Sequence, residues 1–447
     1  MARCCVVSSK IVCPIIASFV PFLLLVSFLG PASAVRGGAG GAGNGTRAAF
    51  QSGEEMARFR AIMARLERMR NASVKTIQSP DGDVIDCVPS HLQPAFEHPE
   101  LRGQKPESEP SERPRIAASH GNADGAEEDD DDDEEGLPQV WRRSGETCPE
   151  GTIPVRRTTE ADVLRASSVR RFGMKARGGG GGGVARRLRH DSTGVGHEHA
   201  VGYVSGGRLY GAKASLNVWP ARVASPAEFS LSQIWVISGA FANDLNTIEA
   251  GWQVSPQLYG DNNPRFFTYW TNDAYQETGC YNLHCSGFVQ TSNRVAIGAA
   301  ISPISAYNGR QFDITILIWK DPRRGQWWLQ LGSGALVGYW PSSLFAHLGA
   351  GGADMVQFGG EVVNARPAGA PHTATQMGSG RFPGEGYRRA AYFRNAQLVD
   401  WDNSLVPAAG LRLLADRPAC YDIAGGAGGA WGVYFYYGGP GRSARCP

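Results

Sequence analysis

From residue 197 onward, the sequence predicts an all-β fold in the form of a sandwich or a barrel, and three observations support this prediction. Short runs rich in aromatic and β-branched residues follow one another, with turn residues between them. Few stretches in this part of the chain carry apolar residues at helical spacing. Glycine accounts for 58 of the 447 residues, and many glycines separate the apolar runs, which favours strands and turns over long helices.

Four runs show the strand pattern clearly, at 232–238, 265–270, 312–319 and 431–437. In the third run, Ile314, Ile316 and Ile318 alternate with other residues and therefore share one face of a strand. A short helix is predicted near 342–348.

The clearest helix of the sequence lies upstream of the β-rich part, at 53–70. Its apolar residues recur at steps of three and four, as on one face of a helix: Met56, Phe59, Ile62, Met63, Leu66 and Met69. Ser52 and Glu55 have the spacing of a capping box at its N-terminus. We expect this helix to pack its apolar face on a neighbouring element. The Gly- and Ala-rich residues before it are predicted to be disordered.

The first 34 residues have the pattern of a secretory signal peptide. Arg3 and Lys10 supply positive charge, an apolar stretch follows at 11–29, and small residues at 32–34 form a cleavage site. A retained membrane anchor is the alternative interpretation, because the apolar stretch approaches the length of a span. We expect a removed signal and a secreted protein, located outside the cell or in the cell wall, with the vacuole as the alternative, and without a membrane partner after signal removal.

The cysteine count agrees with an oxidising compartment. Three cysteines leave with the signal, and an even number remains: Cys87, Cys148, Cys280, Cys285, Cys420 and Cys446. Six cysteines allow about 15 connectivities. Pairing between neighbours in sequence is the simplest prediction: Cys87–Cys148, Cys280–Cys285 and Cys420–Cys446. A zinc site is the competing interpretation, but no CxxC spacing occurs among the six.

Charge is nearly balanced over the whole chain, with a net charge of +2, so it indicates no nucleic-acid partner. Its distribution is uneven. An unbroken acidic run at 127–135 predicts a disordered linker. Six glycines at 178–183, flanked by basic residues, predict a second exposed linker that proteases can cut. Asn44 and Asn71 begin glycosylation sequons, both in the upstream region.

The common catalytic motifs of hydrolases and nucleotide-binding enzymes, such as GxSxG, HExxH and the Walker loop, do not occur. His197 and His199 would place two imidazoles on one face of a strand, as a metal requires. No obvious third ligand lies near them in sequence, so we favour a structural or surface pair. We expect no metal and no cofactor.

Two glutamates stand out among the six that follow residue 197. Glu249 lies in the run at 247–252 and Glu361 in the run at 356–363; both runs are strand-like, mostly apolar and contain glycine. A carboxylate in such a context is costly unless it is paired or functional. Two carboxyls that face one cleft would push their pKa values apart, as acid–base hydrolysis requires. The alternatives are glutamates bonded to the backbone or glutamates that line a sugar site.

The other four glutamates of this part suit solvated positions. They are Glu198, Glu228, Glu277 and Glu385.

Several longer motifs resemble the neprosin family of plant secreted prolyl endopeptidases, in the same order along the chain. In the β-rich part they are residues 243–261, 269–275, 279–285, 359–364, 375–380 and 436–441. Upstream, residues 81–88 and 148–154 resemble the activation peptide of that family.

The resemblance implies a glutamic peptidase on an antiparallel two-sheet β-sandwich, preceded by a small α+β activation propeptide that inhibits the enzyme until acid removes it. Its two catalytic glutamates fall on Glu249 and Glu361. The implied activity is cleavage of proline-containing polypeptides on the carboxyl side of proline, by an enzyme that we expect to be a monomer. Aromatic residues that could stack on proline rings are Trp252, Tyr269, Trp270, Tyr275 and Tyr392. Taken singly, each of these aromatics is more simply explained by core packing.

Two other functions remain open from the residues alone. Two carboxylates on a β-sandwich also suit a glycoside hydrolase that acts on cell walls. A non-catalytic wall-binding module could keep the same fold.

The predicted organisation has five parts. They are a signal peptide at 1–34, a disordered segment with an amphipathic helix at 35–69, an activation propeptide with an acidic linker at 70–165, a Gly/Arg-rich linker at 166–196 and the peptidase domain at 197–447.

Overall fold

The computed structural model describes residues 52–116, 139–175, 196–241 and 243–447. The predicted signal peptide, Asn44, the acidic run and the six-glycine run lie outside the described residues. Among the helices that are described, none combines the length and the apolar character that a membrane span requires.

The upstream region contains one long helix and a small sheet. Its elements are α1 (Gly53–Ala72), β1 (Lys75–Gln78), β2 (Val84–Pro89), β3 (Arg115–Ile116), β4 (Thr152–Arg156) and α2 (Glu160–Arg165). The predicted helix is confirmed: the Ser52 hydroxyl accepts a hydrogen bond from the Glu55 amide, and Phe59, Leu66 and Met69 are buried. β1, β2 and β4 form an antiparallel sheet.

The regular secondary structure of residues 196–447 consists mainly of strands. The strands are β5 (His197–Leu209), β6 (Gly211–Asn217), β7 (Ser230–Ser238), β8 (Asn246–Val254), β9 (Arg265–Thr271), β10 (Cys280–Tyr281), β11 (Val289–Gln290), β12 (Asp313–Lys320), β13 (Trp327–Leu331), β14 (Ala335–Trp340), β15 (Ala353–Val363), β16 (Ala391–Val399), β17 (Ser404–Pro407), β18 (Arg412–Ala415), β19 (Asp422–Ala427) and β20 (Val433–Gly438). Two single-turn helices interrupt them, α3 (Pro256–Tyr259) and α4 (His347–Ala350). The short helix predicted near 342–348 is found as a 3₁₀ turn at Ser342–Leu344 followed by α4.

The strands form two large sheets. One has seven strands in the order β10-β9-β8-β7-β15-β5-β18. The other runs β11-β14-β13-β12-β6-β16-β17-β3, and β19 and β20 extend it beside β16. The pairings within each sheet are antiparallel, except that β3 of the upstream region joins β17 in parallel.

The two sheets pack face to face as a sandwich. Phe358 of one sheet lies 6.4 Å from Phe393 of the other, measured between ring centroids. The Trp252 indole N–H donates to the backbone oxygen of Asn217 at 3.1 Å, and Ser232 and Tyr437 share a hydrogen bond of 2.6 Å between their hydroxyls. The predicted two-sheet sandwich with a small α+β region before it is therefore confirmed.

Disulfides and buried ion pairs hold the upstream region together and against the sandwich. The three predicted disulfides are present: Cys87–Cys148, Cys280–Cys285 and Cys420–Cys446. None of them joins residues 52–175 to the sandwich. Asp83 provides that link instead, because it pairs with Arg265 of β9 at 2.5 Å and with Arg156 at 2.8 Å. The side chains of Asp83 and Arg265 are almost fully buried, so this contact is shielded from salt.

Candidate active site

The two candidate catalytic glutamates lie on the same face of the seven-stranded sheet. Glu249 is on β8 and Glu361 is on β15, and β7 runs between these strands. On β7, Trp235 is paired with Glu249 and Leu231 with Glu361. Leu231 and Trp235 are an even number of residues apart, so the paired glutamates project to one face. Both glutamates are fully buried.

Glu249 accepts hydrogen bonds from three uncharged side chains. The Gln233 amide donates to one oxygen at 2.8 Å. The hydroxyls of Thr247 and Tyr275 donate to the other oxygen, each at 2.8 Å. These donors fix the orientation of the carboxyl group, because three directions of approach leave it little freedom to rotate.

Glu361 is surrounded by groups that carry or can carry positive charge. The ring nitrogen Nδ1 of His197 bonds Oε1 of Glu361, and Nε2 of His199 lies 3.9 Å from its Oε2. Burial by itself raises the pKa of the Glu361 carboxyl, but the charge of Lys175 and the contact with His197 outweigh burial. The net pKa is well below the ordinary value of 4.5.

A lysine from the upstream region connects the two glutamates. Lys175 Nζ lies 2.8 Å from Glu249 Oε2 and 3.4 Å from Glu361 Oε2. It also lies over the rings of Tyr269 and Tyr275, at 5.6 and 5.2 Å from their centroids. The side chain is only 2% exposed, so its ammonium group fills the space between the two carboxylates.

The residues before Lys175 are held by specific contacts with the sandwich. The Gly173 carbonyl accepts a hydrogen bond of 2.7 Å from the Tyr281 amide, and the Tyr269 hydroxyl accepts one of 3.3 Å from the Lys175 amide. Phe172 packs on His284 with ring centroids 5.1 Å apart. Gly173 has φ +80°, and a Cβ there would come within 3.0 Å of His284 Cβ. Glycine is therefore required at this position, both because of the positive φ and because a side chain would have no room beside His284.

Of the five aromatics predicted from the sequence, the structure brings two to the glutamates. Tyr269 is paired with Glu249 on the neighbouring strand, and Tyr275 donates to its carboxyl.

The other three aromatics lie elsewhere, which corrects their assignment to the cleft. Trp252 and Trp270 are on the opposite face of the sheet, since they stand at odd spacing from Glu249 and Tyr269. Trp252 contacts the second sheet, and Trp270 packs on Phe345. Tyr392 belongs to β16 of the second sheet, where its hydroxyl donates to Asp313 at 2.9 Å.

Two of the four glutamates expected to be solvated are in fact buried. Glu198 is 5% exposed and pairs with His372 at 2.9 Å. Glu228 is 1% exposed and accepts hydrogen bonds from the hydroxyls of Thr373 and Thr375. Their partners lie 145 to 174 residues further along the chain, so nothing near them in sequence reveals that their carboxylates have hydrogen-bond donors.

Sequence reasoning missed Lys175 and Asp416. Lys175 stands in a basic stretch that predicted an exposed linker, yet its side chain lies in the cleft; Arg170 of the same stretch is exposed as predicted. Asp416 lies outside every motif and is recognisable only in space, where it binds His199. His197 and His199 do share a strand face as predicted, and that face is the one that carries Glu361. The sequon residue Asn71 is exposed at the end of α1.

Two family models match the chain. The one described as Neprosin matches residues 226–440, and the one described as Neprosin activation peptide matches residues 76–203. The activation-peptide match continues past Lys175 and ends within β5.

Among solved structures, the chain is similar to two crystal structures of scytalido-glutamic peptidase with transition-state analogues. The identities are 11% and 10% and the TM-scores 0.31 and 0.30, and each match covers 54% of this chain and 97% of that chain. It is also similar to SCP-B, a member of the Eqolisin family of peptidases in a complex with the tripeptide Ala-Ile-His. There the identity is 11% and the TM-score 0.29, with 54% of this chain and 96% of that chain covered.

Proposed function

Because the chain belongs to the neprosin family, we propose that it is the precursor of a secreted glutamic endopeptidase that cleaves on the carboxyl side of proline in acid. Family membership supports a peptidase of the glutamic type. The observation that carries the proposal is that two fully buried glutamates from separate strands meet at a single ammonium group in one cleft. A pair of buried carboxylates is costly to maintain without a functional reason.

The chemistry follows from what happens when Lys175 leaves. Two close carboxyls cannot both stay ionised without a counter-charge, so in acid one of them gains a proton. The ionised carboxylate takes a proton from water, and the water attacks the scissile carbonyl. The protonated carboxyl stabilises the developing oxyanion and then gives its proton to the leaving amine.

The upstream region serves in this proposal as the inhibitor of its own enzyme. Lys175 occupies the position between Glu249 and Glu361 that the attacking water needs. Gly173 and Phe172 fix the segment that carries it. A substrate cannot reach the carboxylates while this side chain is in place.

Acid favours release of the inhibitor, and the sign follows from the pKa of Glu361. That pKa is lowered below 4.5 in the closed precursor, in part by Lys175. A group with a depressed pKa stabilises the closed state at pH values above its ordinary pKa, and this stabilisation is lost as the pH falls toward the depressed value. The closed precursor is therefore favoured near neutral pH, and opening takes up a proton.

Substrate preference and location complete the proposal. Tyr269 and Tyr275 form an aromatic surface beside Glu249, where a proline ring could stack as in other proline-recognising grooves. Three disulfides within the described residues support an extracellular protein.

Paired peptide substrates test this function. Two peptides that differ only by proline or alanine at one position are incubated with the acid-treated protein at about pH 3 to 5, a window around the reference pKa of a carboxyl. We expect cleavage after proline by the wild type and none by Glu249→Gln or Glu361→Gln. Glu198→Gln is the matched control, because Glu198 is also buried but pairs with His372 away from the cleft. Equal cleavage of both peptides would refute the proline preference, and release of sugar from a wall polymer instead would refute the peptidase.

A further inference from the structure

β5 presents two histidines to Glu361, and the side chains of both are almost fully buried. His199 is the pairing partner of Glu361 across β5 and β15, and His197 stands two residues away on the same face. Their side chains are 1% and 3% exposed. One nitrogen of each ring therefore lies beside a different oxygen of the same carboxylate: Nδ1 of His197 at Oε1, and Nε2 of His199 at 3.9 Å from Oε2.

A carboxylate behind His199 fixes the direction of its ring. Asp416 Oδ2 lies 3.0 Å from Nδ1 of His199 and also accepts the backbone N–H of His199 at 2.9 Å. With Nδ1 held by Asp416, Nε2 points toward Glu361. The ring also packs beside Trp235, with centroids 6.3 Å apart, and His197 packs edge-on to Phe229 at 5.9 Å. The two imidazoles are thus positioned by the fold.

The two glutamates differ in the kind of neighbour they have. Apart from Lys175, Glu249 accepts hydrogen bonds from an amide and two hydroxyls, which favour its ionised form less strongly than a cation does. His197 and His199 of β5 face Glu361, whereas Lys175 of the upstream region lies near both carboxylates and is closer to Glu249 than to Glu361. From β7, the residue paired with Glu361 is the apolar Leu231, and Glu249 on β8 is the nearby acidic group in the cleft.

We propose that His197 and His199 are positioning residues that keep Glu361 ionised in acid, so that Glu361 acts as the base and Glu249 carries the proton. This inference rests on the proposed function and adds the assignment of the two roles. An imidazole gains its proton at a reference pKa of about 6.5, above the reference value of about 4.3 for a glutamate carboxyl, so histidine is a source of positive charge in acid. The imidazoles therefore take over the positive charge that Lys175 supplies in the closed precursor and that its departure removes.

The test is the pH profile of kcat/KM for a proline peptide, measured on the full chain after acid processing and normalised to processed protein. The acid limb of this profile reports the base of the free enzyme. In His197→Gln and His199→Gln we expect the limb to move up by about one pH unit. At about pH 3 the activity should fall by up to about 10-fold, with a smaller loss at about pH 5. Asp416→Asn should move the limb in the same direction by a smaller amount.

The matched control is His372→Gln, which removes another buried histidine bonded to a glutamate on the same strand but on its other face. We expect its acid limb to stay where the wild type has it. If a variant at His197 or His199 fails to fold by circular dichroism, Asp416→Asn decides the question, because Asp416 is closer to the surface, at 14% side-chain exposure.

The outcomes separate the two proposals. An unchanged acid limb in the folded histidine and Asp416 variants, with Glu361→Gln inactive, would overturn this inference and leave the peptidase function standing. An inactive wild type, or an active Glu361→Gln, would overturn the proposed function itself. A shifted limb in the variants and an unshifted one in the control would establish the histidine role.

Discussion

Two lysines of this protein, one buried and one half-buried, make opposite kinds of contact. Lys175 lies between the carboxylates of Glu249 and Glu361. Lys320, at the end of β12, donates to three backbone carbonyls in and after α4, those of Leu348, Gly349 and Gly351, at 2.7, 2.7 and 2.8 Å. Burial lowers the pKa of Lys320 to about 8, because carbonyl dipoles do not compensate the charge as a carboxylate does.

The difference shows that a lysine can make contacts that persist in acid at one site and contacts that acid weakens at another. Carbonyl oxygens do not titrate in acid, so acid leaves the contacts of Lys320 in place. The partners of Lys175 are carboxylates, and each proton that they gain removes attraction for the ammonium group. Whether acid can open the cleft is therefore determined by the carboxylates of Glu249 and Glu361 and not by the lysine itself.

The largest effect is expected from Lys175→Met, which removes the ammonium and leaves two buried carboxylates without it. Breaking a buried ion pair costs about 3 to 5 kcal/mol, so at pH 6 the upstream region should bind the sandwich at least about 100-fold more weakly. The measurement uses the full chain nicked between residues 176 and 195 by limited trypsin digestion, since no disulfide in the described residues links the two pieces. Size-exclusion chromatography at a series of concentrations then gives the dissociation constant.

The wild type supplies the pH comparison for the same measurement. Its dissociation constant should rise as the pH falls below 4.5, and that of Lys175→Met should depend less on pH in this range. An unchanged constant in Lys175→Met at pH 6 would contradict the view that this lysine closes the cleft.

Lys320→Met should lower stability without affecting closure. Three partly buried carbonyls lose their donor. Because an unsatisfied buried polar group costs about 1 to 3 kcal/mol, we expect a fall near the lower end, about 1 kcal/mol, in the free energy of unfolding. Urea denaturation of the intact chain measures it. The pH dependence of dissociation in the nicked chain should match that of the wild type. A shift in that pH dependence would erase the distinction between the two lysines.

Gly173→Ala tests whether Lys175 must be presented by an exact backbone path. The new Cβ meets His284 at 3.0 Å in a backbone with φ +80°, and strain of this kind costs about 1 to 3 kcal/mol. We expect the nicked chain to dissociate about 10-fold more readily at pH 6, a smaller effect than in Lys175→Met. Gly151→Ala is the matched control, because Gly151 has φ +75° and open space around it. Gly151→Ala should destabilise the upstream region without changing how Lys175 is held. If both variants dissociate equally, general strain in the upstream region, and not the placement of Lys175, explains the weaker binding.

Local patterns were enough to predict an all-β fold, either a sandwich or a barrel, and to single out the pair of glutamates; the two-sheet sandwich was implied by the family resemblance. Alternating apolar residues report the strand faces directly, and a carboxylate among them is unusual enough to notice, as at Glu249 and Glu361. The same argument did not identify Glu198 and Glu228, because their compensating partners come from distant strands and loops.

The sequence was less informative about which sheet a strand joins and about which distant segment enters the cleft. Trp252 is an exception, because its odd spacing from Glu249 already assigns it to the other face of β8, and the structure places it against the second sheet. Tyr392 lies on the other sheet, and strand order is not encoded in any single segment. Lys175 resembles its basic neighbours in sequence, and only the fold places it between two acids.

The most direct test of the account is a double-mutant cycle on Glu249 and Glu361. Glu249→Gln, Glu361→Gln and the double variant are nicked by trypsin between residues 176 and 195, trypsin is inhibited, and kcat on a proline peptide is measured in acid. Residues that act as one catalytic unit are strongly non-additive. We expect each single variant to lose about a thousandfold or more in kcat and the double variant to lose no more than either. Substantial activity in either single variant, or losses that multiply in the double variant, would contradict a mechanism in which the two glutamates share one reaction.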